Sequence, residues 1–314
     1  MKKLFLSMMA MILLLAGCSL ESPLEKQDSG KSDKKKSDIV VGVSISTLNN
    51  PFFVKIKDGI SAEAKKQGIK VQFADAQDDA AKQSNDIDDL IQQNVDYLIV
   101  NPTDSDAISG SVQIANDQNI PVITLDREVA KGKVASFIAS DNVKGGEMGG
   151  KLIVDKFGKG TKVVELEGIP GASATRERGK GFHNVADDEL DVVSKQSAKF
   201  NRTEGLNVTQ NMIQAHPDIK AIFAQNDEMA LGAVEAVGNK DIKVVGFDGN
   251  EDAIKSVENN KLFATVAQQP NLMGEESIKT VMDLFNGKKV QEKNKIPLEM
   301  KKQKIGFMRK SRIQ

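Results

Sequence analysis

Amides, carboxylates and arginines stand at the downstream ends of short apolar runs along this sequence. In chain order they are Asn49-Asn50, Asp75, Asn101, Asp126-Arg127, Asp141-Asn142, Glu167, Asn226-Asp227, Asp248 and Gln268. A carboxylate only accepts hydrogen bonds, a guanidinium donates them in a rigid fork, and a carboxamide does both. Together they match a small ligand rich in hydroxyls, each of which donates and accepts. Asn and Asp at such positions also cap the helix that follows, so each of them carries that second reading. Arg127 does not: arginine is a poor cap, and here it follows a buried run directly. In Asn49-Asn50-Pro51-Phe52-Phe53, Asn50 suits an N-cap and Pro51 the first helical position. Phe52 and Phe53 then fall on the first turn, where an aromatic face could pack on apolar C–H groups. The helical phase of Phe53 suits the core as well.

The elements that must hold these residues alternate. Apolar runs reading as strands are Ile39–Ser46, Ile69–Asp75, Tyr97–Asn101, Pro121–Asp126 and Phe137–Asp141, then Lys162–Glu167, Val192–Gln196, Ala221–Gln225, Lys243–Asp248 and Phe263–Gln268. Their near-continuous Val, Ile, Leu, Phe and Ala content is that of strands buried on both faces. Helix-length segments lie between them, such as Phe53–Gln67, where Phe53, Ile56, Ile60 and Ala64 recur every three or four residues. Others are Ala81–Gln93, Ser105–Gln118, Asn142–Phe157, Arg176–Ala186, Thr203–Ala215, Glu228–Val237 and Glu251–Asn259. This alternation predicts an α/β protein with parallel sheets and right-handed crossovers. The length favours two sheets over one. The chain after Met273 reads as one more helix and a strand, Ile296–Met300, returning to the first sheet. In open α/β sheets a ligand binds outside the carboxyl ends of the strands, where the polar row falls.

The ends of the chain have a different character. Lys2 and Lys3 precede an apolar run, Leu4 to Ala16, broken only by Ser7 and ending in Leu15-Ala16-Gly17-Cys18. The run is too short to span roughly 30 Å of hydrocarbon comfortably and reads as a signal-peptide core over residues 1–17. Cys18 is the one cysteine in 314 residues, so no intrachain disulfide forms. The Leu-Ala-Gly-Cys run resembles the lipobox of bacterial lipoproteins, which implies a lipidated Cys18 anchored to the membrane by two or three acyl chains. Residues 18–37 then form a polar linker that cannot bury enough apolar surface to order itself. At the other end, 305–314 is a basic tail without an acidic residue. The net charge of −1 leaves no overall electrostatic footprint for nucleic acid.

The folded part resembles the ribose-binding proteins of bacterial ABC importers, from about Ile39 to Leu298. The stretches that carry the resemblance are Ser46-Thr47-Leu48-Asn49-Asn50-Pro51-Phe52-Phe53, Asn101-Pro102-Thr103-Asp104-Ser105-Asp106, Ile123-Thr124-Leu125-Asp126-Arg127, Arg176-Glu177-Arg178-Gly179, Ala224-Gln225-Asn226-Asp227-Glu228-Met229-Ala230-Leu231-Gly232 and Val245-Gly246-Phe247-Asp248-Gly249. It implies two Rossmann-like lobes joined by three crossings of a hinge, one lobe of 38–140 plus 269–297 and the other of 141–268 plus 298–304. The family's sugar contacts then fall on Asn50, Phe52, Phe53, Asn101, Asp126 and Arg127 of the first lobe. In the second they fall on Arg178, Phe200, Asn226 and Asp248, with Gln268 beside the hinge. As sugar contacts, Arg178, Phe200 and Phe53 rest on the resemblance alone. The implied ligand is D-ribose or a similar monosaccharide. The implied partners are the permease and ATPase of the importer, met by a monomer without cofactor or metal.

Rival readings have less to stand on. No G-x-S-x-G elbow, G-x-G-x-x-G turn or Walker A motif is present to suggest an enzyme. His183 reads as a polar helix-face residue and His216 as part of a turn before Pro217, neither beside a further metal ligand. A sugar-responsive repressor shares the two-lobed core, but its DNA-reading helices would have to precede residue 38, where the signal peptide and linker lie. The nearest alternative is a receptor of this architecture for another pentose, a hexose or a furanose-like signal molecule.

Overall fold

The computed structural model describes residues 34–303. The signal peptide, Cys18, most of the linker and the basic tail lie outside the described residues. The first lobe is built on a sheet of β1 (Val40–Ile45), β2 (Lys70–Asp75), β3 (Tyr97–Val100), β4 (Val122–Leu125), β5 (Ser136–Ser140) and β11 (Lys293–Ile296), in the order β11-β5-β4-β3-β1-β2. Every pair in it is parallel. The second lobe has β6 (Thr161–Glu167), β7 (Leu190–Ser197), β8 (Ala221–Ala224), β9 (Lys243–Asp248), β10 (Ala264–Ala267) and β12 (Glu299–Lys302), ordered β12-β10-β9-β8-β6-β7. Its pairs are parallel except β10 with β12.

Helices cover both faces of each sheet. α1 (Pro51–Gln67) and α9 (Pro270–Phe285) pack together on one face of the first, with α2 (Ala80–Gln92) and α3 (Ser109–Asp117) on the other. In the second lobe α6 (Arg202–Ala215), α7 (Asp227–Val237) and α8 (Glu251–Glu258) lie opposite α4 (Asn142–Phe157) and α5 (Ser173–Glu189). The pleat divides the strand residues between the two cores: Ile99 joins one cluster and its neighbours Leu98 and Val100 the other. Both faces being apolar is what made these strands read as continuous hydrophobic runs.

The chain passes between the sheets three times: after β5, after β10, and between β11 and β12. The last passage corrects the single strand expected over Ile296–Met300. Pro297 has no N–H to donate, so the segment divides, Ile296 ending a strand of the first sheet and Glu299 starting one of the second. The helix expected from Ser105 begins at Ser109. Ahead of it the Asp104 carboxylate accepts from the N–H groups of Asp106 and Ala107, and Ser105 N donates to Gly171 O across the lobes.

The helix starts explain part of the polar row. Asn50, Asp141 and Asn226 each cap the helix after them, their side-chain oxygens accepting from Phe52 N, Lys144 N and Met229 N. The contact between α4 and α5 sets the position of Arg178. A Cβ on Gly146 would lie 2.2 Å from Arg178 O, and one on Gly181 would lie 1.9 Å from Val143 O, so only glycine permits this approach.

Candidate functional site

The downstream ends of the strands in the two sheets face one another across a cavity with about 210 Å3 of empty space, open solvent included. The first lobe contributes Asn50, Phe52, Phe53, Asp126 and Arg127 to its wall, and the second Ala174, Arg178, Phe200, Asn226 and Asp248. It opens toward a larger cleft of about 1260 Å3, partly open to solvent, with which it shares Asn50, Phe53, Arg127 and Phe200. Three residues of the wall have left-handed backbones: Asp126 at φ 65°, Phe200 at φ 57° and Asp248 at φ 123°. Such angles cost an ordinary side chain about 1–3 kcal/mol, and surrounding structure must impose them. At each of the two aspartates the positive φ turns the chain out of the strand as it reaches the cavity. Phe200 lies against Gly168, where a Cβ would fall 2.0 Å from its ring.

Two buried arginines organise the charges. Arg127 donates through Nη1 to Pro102 O at 3.2 Å, and its guanidinium lies 5.0 Å from the ring centre of Phe53 and 5.3 Å from that of Phe200. It therefore stacks between one ring of each lobe, where a planar, weakly hydrated cation is favoured over an ammonium. Arg178 donates through Nε to Asn142 Oδ1 at 2.9 Å and through Nη1 to Gln225 O at 2.6 Å, and sits 3.9 Å from the ring centre of Phe247. Its Nη1 is also 3.5 Å from Asp248 Oδ1.

The acids are held against their preference for water. Burial raises the Asp126 carboxyl above the ordinary range, with Arg127 and Arg178 opposing it. Burial pushes Asp248 up to about 7, again against Arg178. Behind it Asp227 is also raised well above the ordinary range, by burial and then by the neighbouring Asp248, although Thr265 and the Asn250 N–H donate to it. Burial lowers Arg127. Asp126 Oδ1 and Arg127 Nε have no hydrogen-bond partner although both are buried. An unmatched buried acceptor and donor cost about 1–3 kcal/mol each or more when charged, a cost that a ligand bonded to both atoms would relieve.

Of the eleven residues singled out in the sequence, nine line this cavity and two stand behind it. Asn101 is not in the wall. Its Oδ1 accepts from Ser46 N and Oγ at 3.2 and 2.7 Å, and its Nδ2 donates to Leu125 O at 3.0 Å. Its amide ties β1 to β4 just beneath the site. Gln268 donates to Asp248 Oδ1 at 2.9 Å, while its own Oε1 is buried without a partner. Phe52 and Phe53 are both 2% exposed and belong to the core as well as to the wall, their rings edge to face at 5.3 Å. Asn50 and Asn226 likewise cap helices and line the cavity, so the two readings of those positions coexist.

Sequence reasoning missed Ala174, which carries no polar signal, and Gln225, whose neighbour Asn226 drew the attention. Asn142 was in the polar row but was not selected. It donates to Glu177 Oε2 at 3.0 Å while accepting from Arg178. His183, read as part of a polar helix face, is half-buried and in contact with the fully buried Glu165; burial of a partner on the neighbouring strand left no trace in its own helix pattern.

Two α/β lobes, three crossings between them and a charged, aromatic-lined cavity at the interface define a two-lobed solute receptor. The comparisons agree. Residues 41–289 match the model of the periplasmic binding protein domain, and the chain belongs to that family. It is 57% identical to the ribose import binding protein RbsB of Bacillus subtilis (strain 168), covering 93% of this chain and 96% of that one. The Escherichia coli (strain K12) protein of the same name is 49% identical over 83% of this chain and 89% of its own. Among solved structures, an ABC transporter solute-binding protein from Mycobacterium smegmatis with bound glycerol superposes with a TM-score of 0.80 at 33% identity, over 84% of this chain and 94% of that one. These relatives are solute-binding components and not enzymes, and this chain is a binding protein of the same kind. Among the described residues no helix is long and apolar enough to cross a membrane.

Proposed function

We propose that this protein captures D-ribose outside the cytoplasm by closing its lobes around the sugar, and delivers it to the permease and ATPase subunits of an ABC importer. The observation that carries the reading is the pair of unpartnered buried atoms, Asp126 Oδ1 and Arg127 Nε, on residues of the cavity wall. A sugar hydroxyl donates to the first and accepts from the second. Asp248 accepts a further hydroxyl proton, and Arg178 donates beside it. Phe52, Phe53 and Phe200 pack against the apolar faces of the ring, and Asn50 and Asn226 offer the capacity left over from their caps. Asn101 and Gln268 act through Leu125 and Asp248 respectively.

Because half of the wall comes from each lobe, the sugar contacts are complete only in the closed form, and ligand shifts the equilibrium by its preference for that form. The relatives named for ribose support the choice of sugar. Lipidation of Cys18 would hold the receptor at the membrane, with the linker as a tether, and the receptor would work as a monomer.

The test is a calorimetric panel of ribose, other pentoses, hexoses and deoxyriboses on the purified protein. Ribose is expected to bind tightest, and deoxyriboses poorly because a site built for a hydroxyl is left unpaired without it. Tighter binding of a hexose or another pentose would replace ribose while leaving the receptor class intact.

A further inference from the structure

A fully buried carboxylate lies behind the second-lobe wall. Glu165, in the middle of β6, is 0% exposed. Its Oε1 accepts from Gln225 Nε2 at 2.8 Å, and its Oε2 faces His183 Nε2 at 3.0 Å. The other ring nitrogen, His183 Nδ1, faces Asp187 Oδ1 at 2.6 Å. Ionised carboxylates only accept, so an imidazole between two of them must donate from both nitrogens, which makes it an imidazolium. The Glu165 hydrogen bond, opposed by burial and helped by Asp187, raises His183 to about 9.

Gln225 carries this arrangement to the cavity. With Nε2 committed to Glu165, its Oε1 accepts from Gly168 N at 3.0 Å, and Gly168 is the residue on which the Phe200 ring rests. Its backbone carbonyl accepts from Arg178 Nη1 at 2.6 Å. Phe200 and Arg178 are wall residues, so both are referred to one glutamine, and the glutamine to a buried charge neutralised from the surface.

We infer that His183 is a positioning residue for the sugar site, acting through Glu165 and Gln225 on Arg178 and Phe200. If the imidazolium loses its proton, Glu165 is left as a buried charge without its cation, a state that must rearrange. Gln225 then loses the partner that orients its amide. Of the other charged groups near α5, Glu147 of α4 accepts from Asn184 and pairs with Lys151, Lys195 of β7 pairs with Glu167, and Glu177, raised by burial, accepts from Asn142. Titration of His183 is therefore the event expected to reach the site by this route.

The inference rests on the sugar-binding reading, and the experiment separates the two. Ribose affinity is measured by calorimetry from pH 6 to 10 for the wild type, His183→Gln, and Glu165→Gln with His183→Gln, while NMR of the His183 ring protons follows its titration in the wild type. Wild-type affinity should rise toward about pH 8 as Asp248 ionises and fall above it as the ring deprotonates. His183→Gln should bind about tenfold more weakly at pH 7, within the range for mutations in coupled networks, and should lack the alkaline fall. The double variant keeps an amide chain with no buried charge and should recover most of the affinity. Identical affinities and pH profiles in wild type and His183→Gln, even with a lower melting temperature in the variant, would overturn the inference and leave His183 a brace of the fold. A wild-type affinity flat through the ring titration would do the same without any variant. A wild type that binds no sugar sinks the functional reading instead.

Discussion

Arg178 Nη1 lies 3.5 Å from Asp248 Oδ1, with the two side chains only 4% and 3% exposed. The arginine comes from the helix after β6 and the aspartate from the end of β9, and both reach the cavity wall. The pair is longer than a hydrogen bond because Arg178 already donates to Asn142 and Gln225 and Asp248 accepts from Gln268. Arg178→Ala strands a buried carboxylate and removes a donor from the wall. Ribose binding should weaken by about 3 kcal/mol or more, on the order of a hundredfold, as read by calorimetry.

The same aspartate makes binding and stability depend on pH. Its carboxyl is raised from 3.8 to about 7 by burial, so between those values the folded protein holds a proton that the unfolded chain releases. Its contribution to stability is fully present below pH 3.8 and is lost as pH rises through about 7. In sugar-free protein, Asp248→Asn should remove this part of the fall in melting temperature between pH 5 and 8. A hydroxyl donated to Asp248 favours the ionised form, so ribose binding at pH 7 should release protons, visible as a dependence of the binding enthalpy on the buffer's ionisation heat.

His183 has the same sign at higher pH. Raised from 6.5 to about 9, it contributes stability in full below pH 6.5 and loses it as pH rises through about 9. Thermal melts of wild type and His183→Gln should converge at pH 10 and separate below pH 7.

Asn101 should behave as a tie and not as a contact. Asn101→Ala removes bonds to Ser46 and Leu125 in a fully buried setting, which should cost about 2 kcal/mol or more of folding stability. Urea denaturation measures it, and ribose affinity in the folded variant should fall less than in Arg178→Ala.

Gly168→Ala places a methyl group 2.0 Å from the Phe200 ring. The ring cannot move without leaving the wall, so affinity should fall by about 1–3 kcal/mol with a smaller change in melting temperature. Calorimetry and a thermal melt on one preparation separate the two effects.

At the amino terminus the test is cellular: Cys18→Ala should abolish palmitate labelling and leave the protein released or unprocessed.

Much of this molecule was legible in its residues because the physics there is local. Strands buried on two faces read as continuous apolar runs, helix caps as Asn or Asp before a helical repeat, and the polar ends of the runs as the mouth of an α/β sheet. The resemblance added Arg178 and Phe200, which have no local signature, and Phe53, whose helical phase pointed to the core. What remained depended on which groups meet across distant segments. Asn101 and Asp126 end neighbouring runs with similar chemistry, yet one ties strands together and the other lines the cavity, because only folding decides which backbone groups each can reach. The final strand divides at Pro297 because a sheet of each lobe has an edge within its reach. His183 became more than a surface residue because β6 buries Glu165 beneath α5, and a charge taken out of water must find its partner wherever the fold puts one.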